Sequence, residues 1–333
     1  MKKLFLPVIF LFLLPAVHAQ TLGWRANVFG FADNREYHST VQIPQTIYGI
    51  QFAPELYLTF DSVHSLNIGM NALKEFGSLP QVDKMIPYLY YALNGKEFDF
   101  YFGVFPRNKF LGDSPKVIYY DSLQYYRPYI SGLYWTYHKG NFNQSLYLDW
   151  TSRQTDTQRE TFIMGTKGSY NYKMFFLKNH MYMYHRAGAG IPAEGEHLRD
   201  NGVAVVTMGL DASDHTFLDL LKFSISGIRS FERERHVTDW ITPTGMIIDL
   251  DIEYKNFGIN NTLYHGEGHH LDWGDPFYRL KQYDRLDMFY KILRSKRVAG
   301  SFTYSLHFAE GEISHQQQFH LTVNLSSDFK NRE

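Results

Sequence analysis

Residues 142–151 read Phe-Asn-Gln-Ser-Leu-Tyr-Leu-Asp-Trp-Thr. Phe142, Gln144, Leu146, Leu148 and Trp150 alternate with Asn143, Ser145, Tyr147, Asp149 and Thr151. Successive side chains of a strand point to opposite faces, so one set of this stretch suits lipid and the other suits water. The pattern returns at Met246, Ile248, Leu250, Ile252 and Tyr254, which alternate with Ile247, Asp249, Asp251, Glu253 and Lys255. It returns again at Phe302, Tyr304, Leu306 and Phe308, and at Phe319, Leu321, Val323 and Leu325.

Such segments recur along the whole chain. Their centres fall near Val28, Phe52, Ile68, Leu89, Phe102, Leu133, Leu146, Met164, Leu177, Val205, Phe223, Ile248, Ile259, Met288, Tyr304 and Leu321. That gives about 16 strands, within a range of 14 to 18 and even as bacterial barrels require. Short polar links follow the even strands: 61–64, 94–97, 138–141, 169–171, 255–256 and 294–296, with a slightly longer one at 211–216. Long links follow mostly odd strands: 34–45, 77–84, 108–127, 187–200, 232–242 and 266–284. Short periplasmic turns alternating with long outer loops mark a transmembrane barrel. Many of the strands run longer than those of a soluble sandwich or propeller. The expected fold is therefore all-β: one antiparallel, up-and-down transmembrane barrel with both termini at the periplasmic end.

Composition agrees. Aromatic residues make up 17% of the chain, with 25 Tyr and 27 Phe, as interfacial girdles demand. There is no cysteine, so stability has to come from elsewhere than disulfides. A net charge of −1 gives no reason to expect a nucleic-acid partner. After Val17 no apolar run is long enough for a membrane helix, and only helices and closed barrels satisfy the backbone inside lipid. Lys2 and Lys3, the apolar run from Leu4 to Val17 and Ala19 read as a secretory signal cleaved after Ala19. The expected organisation is a signal at 1–19 and a single barrel domain at 20–333. The first strand begins almost at once, which leaves no room for an N-terminal plug.

Several segments carry a resemblance. Phe105-Pro106-Arg107, Tyr125-Tyr126-Arg127-Pro128, the run from Asp149 to Thr155, Gly266-Glu267-Gly268-His269-His270 and Gly274-Asp275-Pro276-Phe277-Tyr278 resemble an uncharacterised barrel group of the Bacteroidetes type. With the signal and the alternation, the chain resembles the porin-like outer-membrane barrels of Gram-negative bacteria. The resemblance implies an outer-membrane location and transfers no catalytic residue. In one respect the chain departs from it, because the expected last strand is followed by Ser326 to Glu333, with Phe329 inside that tail.

By parity, the inward set holds Arg25, Glu55, Asp99, Arg107, Asp149, Arg153, Lys178, Arg186, Asp249, Asp251, Glu253, Arg285, Asp287 and Lys291. Charged linings tune the selectivity of aqueous barrels. The first functional expectation is therefore passive passage of small polar solutes across the outer membrane. An alternative is a closed barrel that acts as a scaffold, with an envelope lipoprotein or a second copy as partner. The loop 108–127 is the candidate constriction. Its Tyr119, Tyr120, Tyr125 and Tyr126 are expected at the outer membrane interface.

His265, Glu267, His269, His270, Asp272 and Asp275 form the densest ligand-type cluster; His265, Glu267 and His269 share one face of an extended strand end and suit a divalent ion if their directions converge, and otherwise the stretch is a solvated, His-rich loop. No cofactor is expected. An outer-membrane hydrolase is the least favoured reading. Ser224, Ser226, Ser301, Ser305, His307 and His320 supply parts, yet no G-x-S-x-G elbow is present. The expectation is therefore a non-enzyme.

Overall fold

The computed structural model describes residues 21–329. Its strands are β1 (Thr21–Glu36), β2 (Gln45–Phe60), β3 (His64–Glu75), β4 (Lys84–Asn94), β5 (Phe98–Pro106), β6 (Tyr129–Lys139), β7 (Phe142–Ser152) and β8 (Thr161–Tyr172). They continue as β9 (Phe175–Arg186), β10 (Arg199–Asp211), β11 (Leu220–Glu234), β12 (Thr244–Tyr254), β13 (Phe257–Gly266), β14 (Gln282–Arg294), β15 (Val298–Ala309) and β16 (Glu312–Phe329). Each pairs antiparallel with its sequence neighbours, and β1 pairs with β16 to close the barrel. Every expected strand centre falls inside a strand. The expected signal at 1–19 lies outside the described residues.

Closure leaves no free sheet edge, which is the condition for a sheet to stand in lipid. Outward positions carry the apolar set: Leu146, Met164, Leu177, Met181, Val206, Met208, Phe223 and Ile225 are all exposed. Inward neighbours such as Ser145, Tyr147, Asp149, His180, Ser224 and Ser226 are buried. The pattern read at 142–151 is therefore the observed one.

The connections sharpen two expectations. The turn after β8 is Lys173-Met174, a little beyond the predicted 169–171, because β8 continues to Tyr172. Lys173 takes a positive φ of 53° there, a conformation that lets so short a turn close. At the chain end, Ser326 to Phe329 is not a tail. It is the end of β16, with Phe329 opposite Leu22 on β1. The last strand therefore runs through most of the stretch expected to follow it.

Between β5 and β6 the chain turns inward. It forms two single-turn helices, α1 (Asn108–Leu111) and α2 (Leu123–Tyr126). The stretch between β13 and β14 folds inward too, with a short 3-10 turn at Pro276–Arg279. The two loops meet. Tyr120 N donates to Trp273 O at 3.1 Å, and Asp275 N donates to Lys116 O at 2.9 Å. Gly274 is required at this crossing, because a Cβ there would stand 2.2 Å from Val117 O. Val117, Ile118, Leu271, Trp273 and Phe277 are fully or almost fully buried in the resulting core.

Candidate active site

Two chemically distinct surfaces compete for the role: the lumen and the lipid-facing wall. In the lumen, charge is closed on itself. Arg107 Nη2 donates to Asp149 at 2.5 Å and to the Tyr129 carbonyl at 2.8 Å, and its Nε donates to the Arg127 carbonyl at 2.9 Å. Arg285 lies 2.7 Å from Asp287, 3.4 Å from Asp121 and 3.9 Å from Asp275. Towards the short-turn end, Arg25 holds Glu55 at 2.6 Å and Lys291 holds Glu253 at 2.5 Å. Asp99 lies 3.5 Å from His138, and Asp249 accepts from Thr262. Lys178 and Asp251 line the same half by parity. Arg186 pairs with Asp272 of the second inserted loop at 3.3 Å. Of the inward set, Arg153 is misplaced. It lies beyond the end of β7 in an exposed loop, where strand parity no longer applies.

The tyrosines of the first inserted loop also differ from expectation. Tyr125 is 1% exposed, stacks on Phe31 at 4.4 Å and meets His320 Nε2 at 2.8 Å. Tyr119 is buried against Tyr147, its hydroxyl 3.2 Å away. These rings are inside the barrel, not at the outer interface. Their loop can bury a large apolar area only by turning inward. Between this loop and the wall remains a cavity of about 380 Å³, lined by Asn27, Gln51, Asn71, Arg107 and Tyr129 among others.

The metal expectation fails on geometry. His269 is 1% exposed and meets Ser230 Oγ at 2.7 Å through Nδ1. Its burial lowers its pKa to about 4, so the ring is neutral at pH 7. Glu267 instead caps Thr244, accepting from its backbone N at 2.7 Å, and His265 is exposed. Among the described residues no three such groups converge on one point.

The lipid-facing wall carries what the parity reading passed over. Trp150, Phe162, His185, Asp200 and Arg233 stand directly opposite one another across β7 to β11, all on the outward register. His185 Nδ1 lies 2.6 Å from Asp200 Oδ1. Arg235 Nε donates to Asp200 Oδ2 at 3.1 Å, and Arg233 stands 3.6 Å from the same oxygen. Asp200 is only 4% exposed, while His185 is half-buried. Phe162 packs against His185 at 5.2 Å and stacks on Trp150 at 5.2 Å.

A carboxylate on Nδ1 fixes the imidazole tautomer and orientation and leaves Nε2 as the basic nitrogen. No described residue bonds that nitrogen. Along β9 the outward residues Leu177, Met181 and Met183 lead up to His185, which places it at the outer border of the apolar band. The signal was present in the sequence: His185, Asp200, Arg229 and Arg233 are polar residues on the apolar parity. Such residues are costly facing lipid and so ask for a function.

The comparisons bear on this site directly. A family model described as lipid A 3'-O-deacylase-type matches residues 14–332. The chain belongs to the lipid A 3'-O-deacylase-type family. The expectation of a non-enzyme is corrected by this match, since the family is described by a deacylase activity. No curated protein matches the chain in sequence.

Solved structures match its fold. The OmpT loop-L8 deletion mutant, an outer-membrane protein of Vibrio cholerae, is 10% identical with a TM-score of 0.59, covering 92% of this chain and 100% of that one. The anion-selective porin of Comamonas acidovorans is 9% identical with a TM-score of 0.56, covering 92% and 99%. Salmonella typhi OmpF, in a complex with daunomycin, is 10% identical with a TM-score of 0.54, covering 91% and 97%. At such identities the likeness is one of fold, and the deacylase-type chain is an outer-membrane barrel of porin-like architecture.

Proposed function

We propose that the chain is an outer-membrane hydrolase that removes an ester-linked acyl chain from lipid A at the outer leaflet. The observation that carries this reading is the hydrogen-bonded His185–Asp200 pair on the lipid-facing wall. A lipid ester reaches that wall without entering the barrel. His185 Nε2 takes a proton from water, and the hydroxide oxygen bonds to the acyl carbonyl carbon. The tetrahedral oxyanion faces the guanidinium of Arg235, which Asp200 positions. Collapse breaks the bond from acyl carbon to sugar oxygen. The departing oxygen takes the proton back from His185, leaving a fatty acid and a free sugar hydroxyl.

The test uses purified full-length protein in mixed micelles with lipid A, read by mass spectrometry for the loss of one acyl chain. Replacing His185 with Ala should lower the rate by about 10²- to 10⁴-fold, the usual worth of a general base. The reading fails if the wild-type protein releases no acyl chain, or if H185A keeps its rate.

The cavity beside the first inserted loop favours a second reading, passage of small polar solutes when the loops part. Steps of single-channel current in planar bilayers would support it, and a flat trace would end it.

A further inference from the structure

Arg229 stands on the outward register of β11, between the apolar positions Phe223, Ile225 and Phe231. It is exposed, and among the described residues it has no hydrogen-bond or ion-pair partner. Its cross-strand neighbours are Ala204 and Thr244, both small, and an added Cβ at Gly227 on the same face would meet nothing within 4 Å. A groove beside the arginine is therefore open. An unpaired arginine facing lipid is costly at the midplane and nearly free of cost near the interface, so its long stem has to carry the charge to headgroup level.

Four residues further along the same face is Arg233. Its guanidinium lies over the Trp240 ring at 4.3 Å, and its Nε is buried without a hydrogen-bond partner. Arg235 and His236 complete the basic side of a surface cavity of about 470 Å³ that Arg233 also lines. Asp200 and Asp239 are the acidic groups facing this patch, against Arg229, Arg233 and Arg235. One positive charge stays uncompensated.

We propose that Arg229 and Arg233 form an anion seat that holds the phosphate groups of a phosphorylated acyl-glycolipid against the wall beside His185. The inference rests on the hydrolase reading for its choice of lipid A, whose headgroup is a phosphorylated disaccharide. The chemistry of the seat stands apart from that reading. A guanidinium fork matches phosphate oxygens two at a time. The anion would neutralise Arg229, the charge that Asp200 and Asp239 leave uncompensated. Seated there, the headgroup presents its acyl esters towards the apolar side of the row, where His185 stands.

The experiment measures binding by calorimetry on the full-length protein in neutral detergent. The ligands are lipid A and the same lipid stripped of its phosphates, with inorganic phosphate as a competitor. The wild-type protein should prefer the phosphorylated lipid by about tenfold or more, equivalent to about 1.4 kcal/mol. Arg229→Ala should erase most of that preference. Inorganic phosphate should compete weakly, because it lacks the acyl chains that hold a lipid at the wall.

Equal binding of the two lipids by the wild-type protein overturns the seat, whatever the variant does. Full displacement by inorganic phosphate alone also overturns the lipid assignment. If the wild-type protein prefers the phosphorylated lipid but cleaves neither form, the seat stands and the hydrolase reading falls. If it cleaves both at one rate and binds both equally, the hydrolase stands and the seat falls. Should R229A misfold, as heat-shifted gel migration would show, the wild-type comparison still decides.

Discussion

Asp149 and Asp200 belong to the same closed sheet, and both are nearly buried beside arginine. Asp149 faces the lumen. It accepts from Arg107 at 2.5 Å and from the backbone N of Ser131 at 2.9 Å, and Arg107 in turn is tied to two carbonyls. Those bonds tie both ends of the first inserted loop to β7. Asp200 faces outward and holds His185, whose second nitrogen has no partner among the described residues. The difference lies in what the partner has left over. A carboxylate that ties a guanidinium and a backbone N to one wall fixes structure, and one that orients an imidazole whose second nitrogen is basic and unbonded prepares chemistry.

The comparison can be broken by exchanging the two carboxylates one at a time. Asp200→Asn keeps the shape but removes the carboxylate charge that holds the His185 tautomer and stabilises the imidazolium. Its deacylation rate should fall by about 10²-fold or more in single-turnover assays, the scale of a disabled general base. Asp149→Asn should leave the rate within experimental scatter. Equal losses in both would mean that the outer pair has no special role.

Stability should show the opposite ranking. Arg285 is 3% exposed and faces Asp121, Asp275 and Asp287. Removing it by Arg285→Ala leaves buried carboxylates without a counter-charge, at a cost of roughly 3–5 kcal/mol. The half-exposed Arg233 of the outer wall should cost about 1 kcal/mol or less when replaced by Ala. Urea midpoints of the refolded barrel, followed by gel mobility, measure both. A larger shift at Arg233 would reverse the assignment of structural and chemical faces.

The strands were legible because their signal is local. At 142–151 and 246–254 each residue's face follows from its neighbours alone, and every strand centre was found this way. The inserted loops were not legible. Tyr119 and Tyr125 have the composition of an interfacial girdle, and only the crossing at Gly274 and Val117 shows that they turn inward. Such a contact joins residues far apart in sequence and leaves no periodic trace. The outer-wall site was half legible. His185 follows Met181 and Met183 on the apolar register, which marks it as out of place. That Asp200 is its partner depends on the β9–β10 register, and the long loop between those strands hides it.

The inner face also carries a pH signature. Burial alone would raise the Asp121 carboxyl, but Lys116 and Arg285 outweigh it and hold the group below the usual carboxylate range. A carboxyl depressed in the folded state adds stability above its unfolded value of about 3.9, and that stability is lost as pH falls through the folded value. Protection of the amides in residues 108–127 against hydrogen exchange, relative to their intrinsic rate at each pH, should therefore be high at neutral pH and fall in strong acid. Asp121→Asn should remove that acid step. An acid step that persists in the variant would place the sensitive group elsewhere.

The smallest effect is expected at Asp275, on the second inserted loop. Burial raises its carboxyl above the usual value, and the Arg285 guanidinium only partly offsets this. The sign is the reverse of that at Asp121. An acid raised in the folded state contributes stability that is present below its unfolded value and is lost as pH rises through the folded value. At neutral pH the charge on Asp275 is therefore a burden to the fold. Asp275→Asn keeps the acceptor that bonds the backbone N of Phe277 at 3.1 Å, and with it the cap of the short 3-10 turn. The variant should have a slightly higher urea midpoint than the wild-type protein at pH 7 and the same midpoint in strong acid, where both carry no charge there. A lower midpoint at pH 7 would show that the 3.9 Å contact with Arg285 outweighs the burial of the carboxylate. The lumen network would then depend on all three of its acids, not on Asp121 and Asp287 alone.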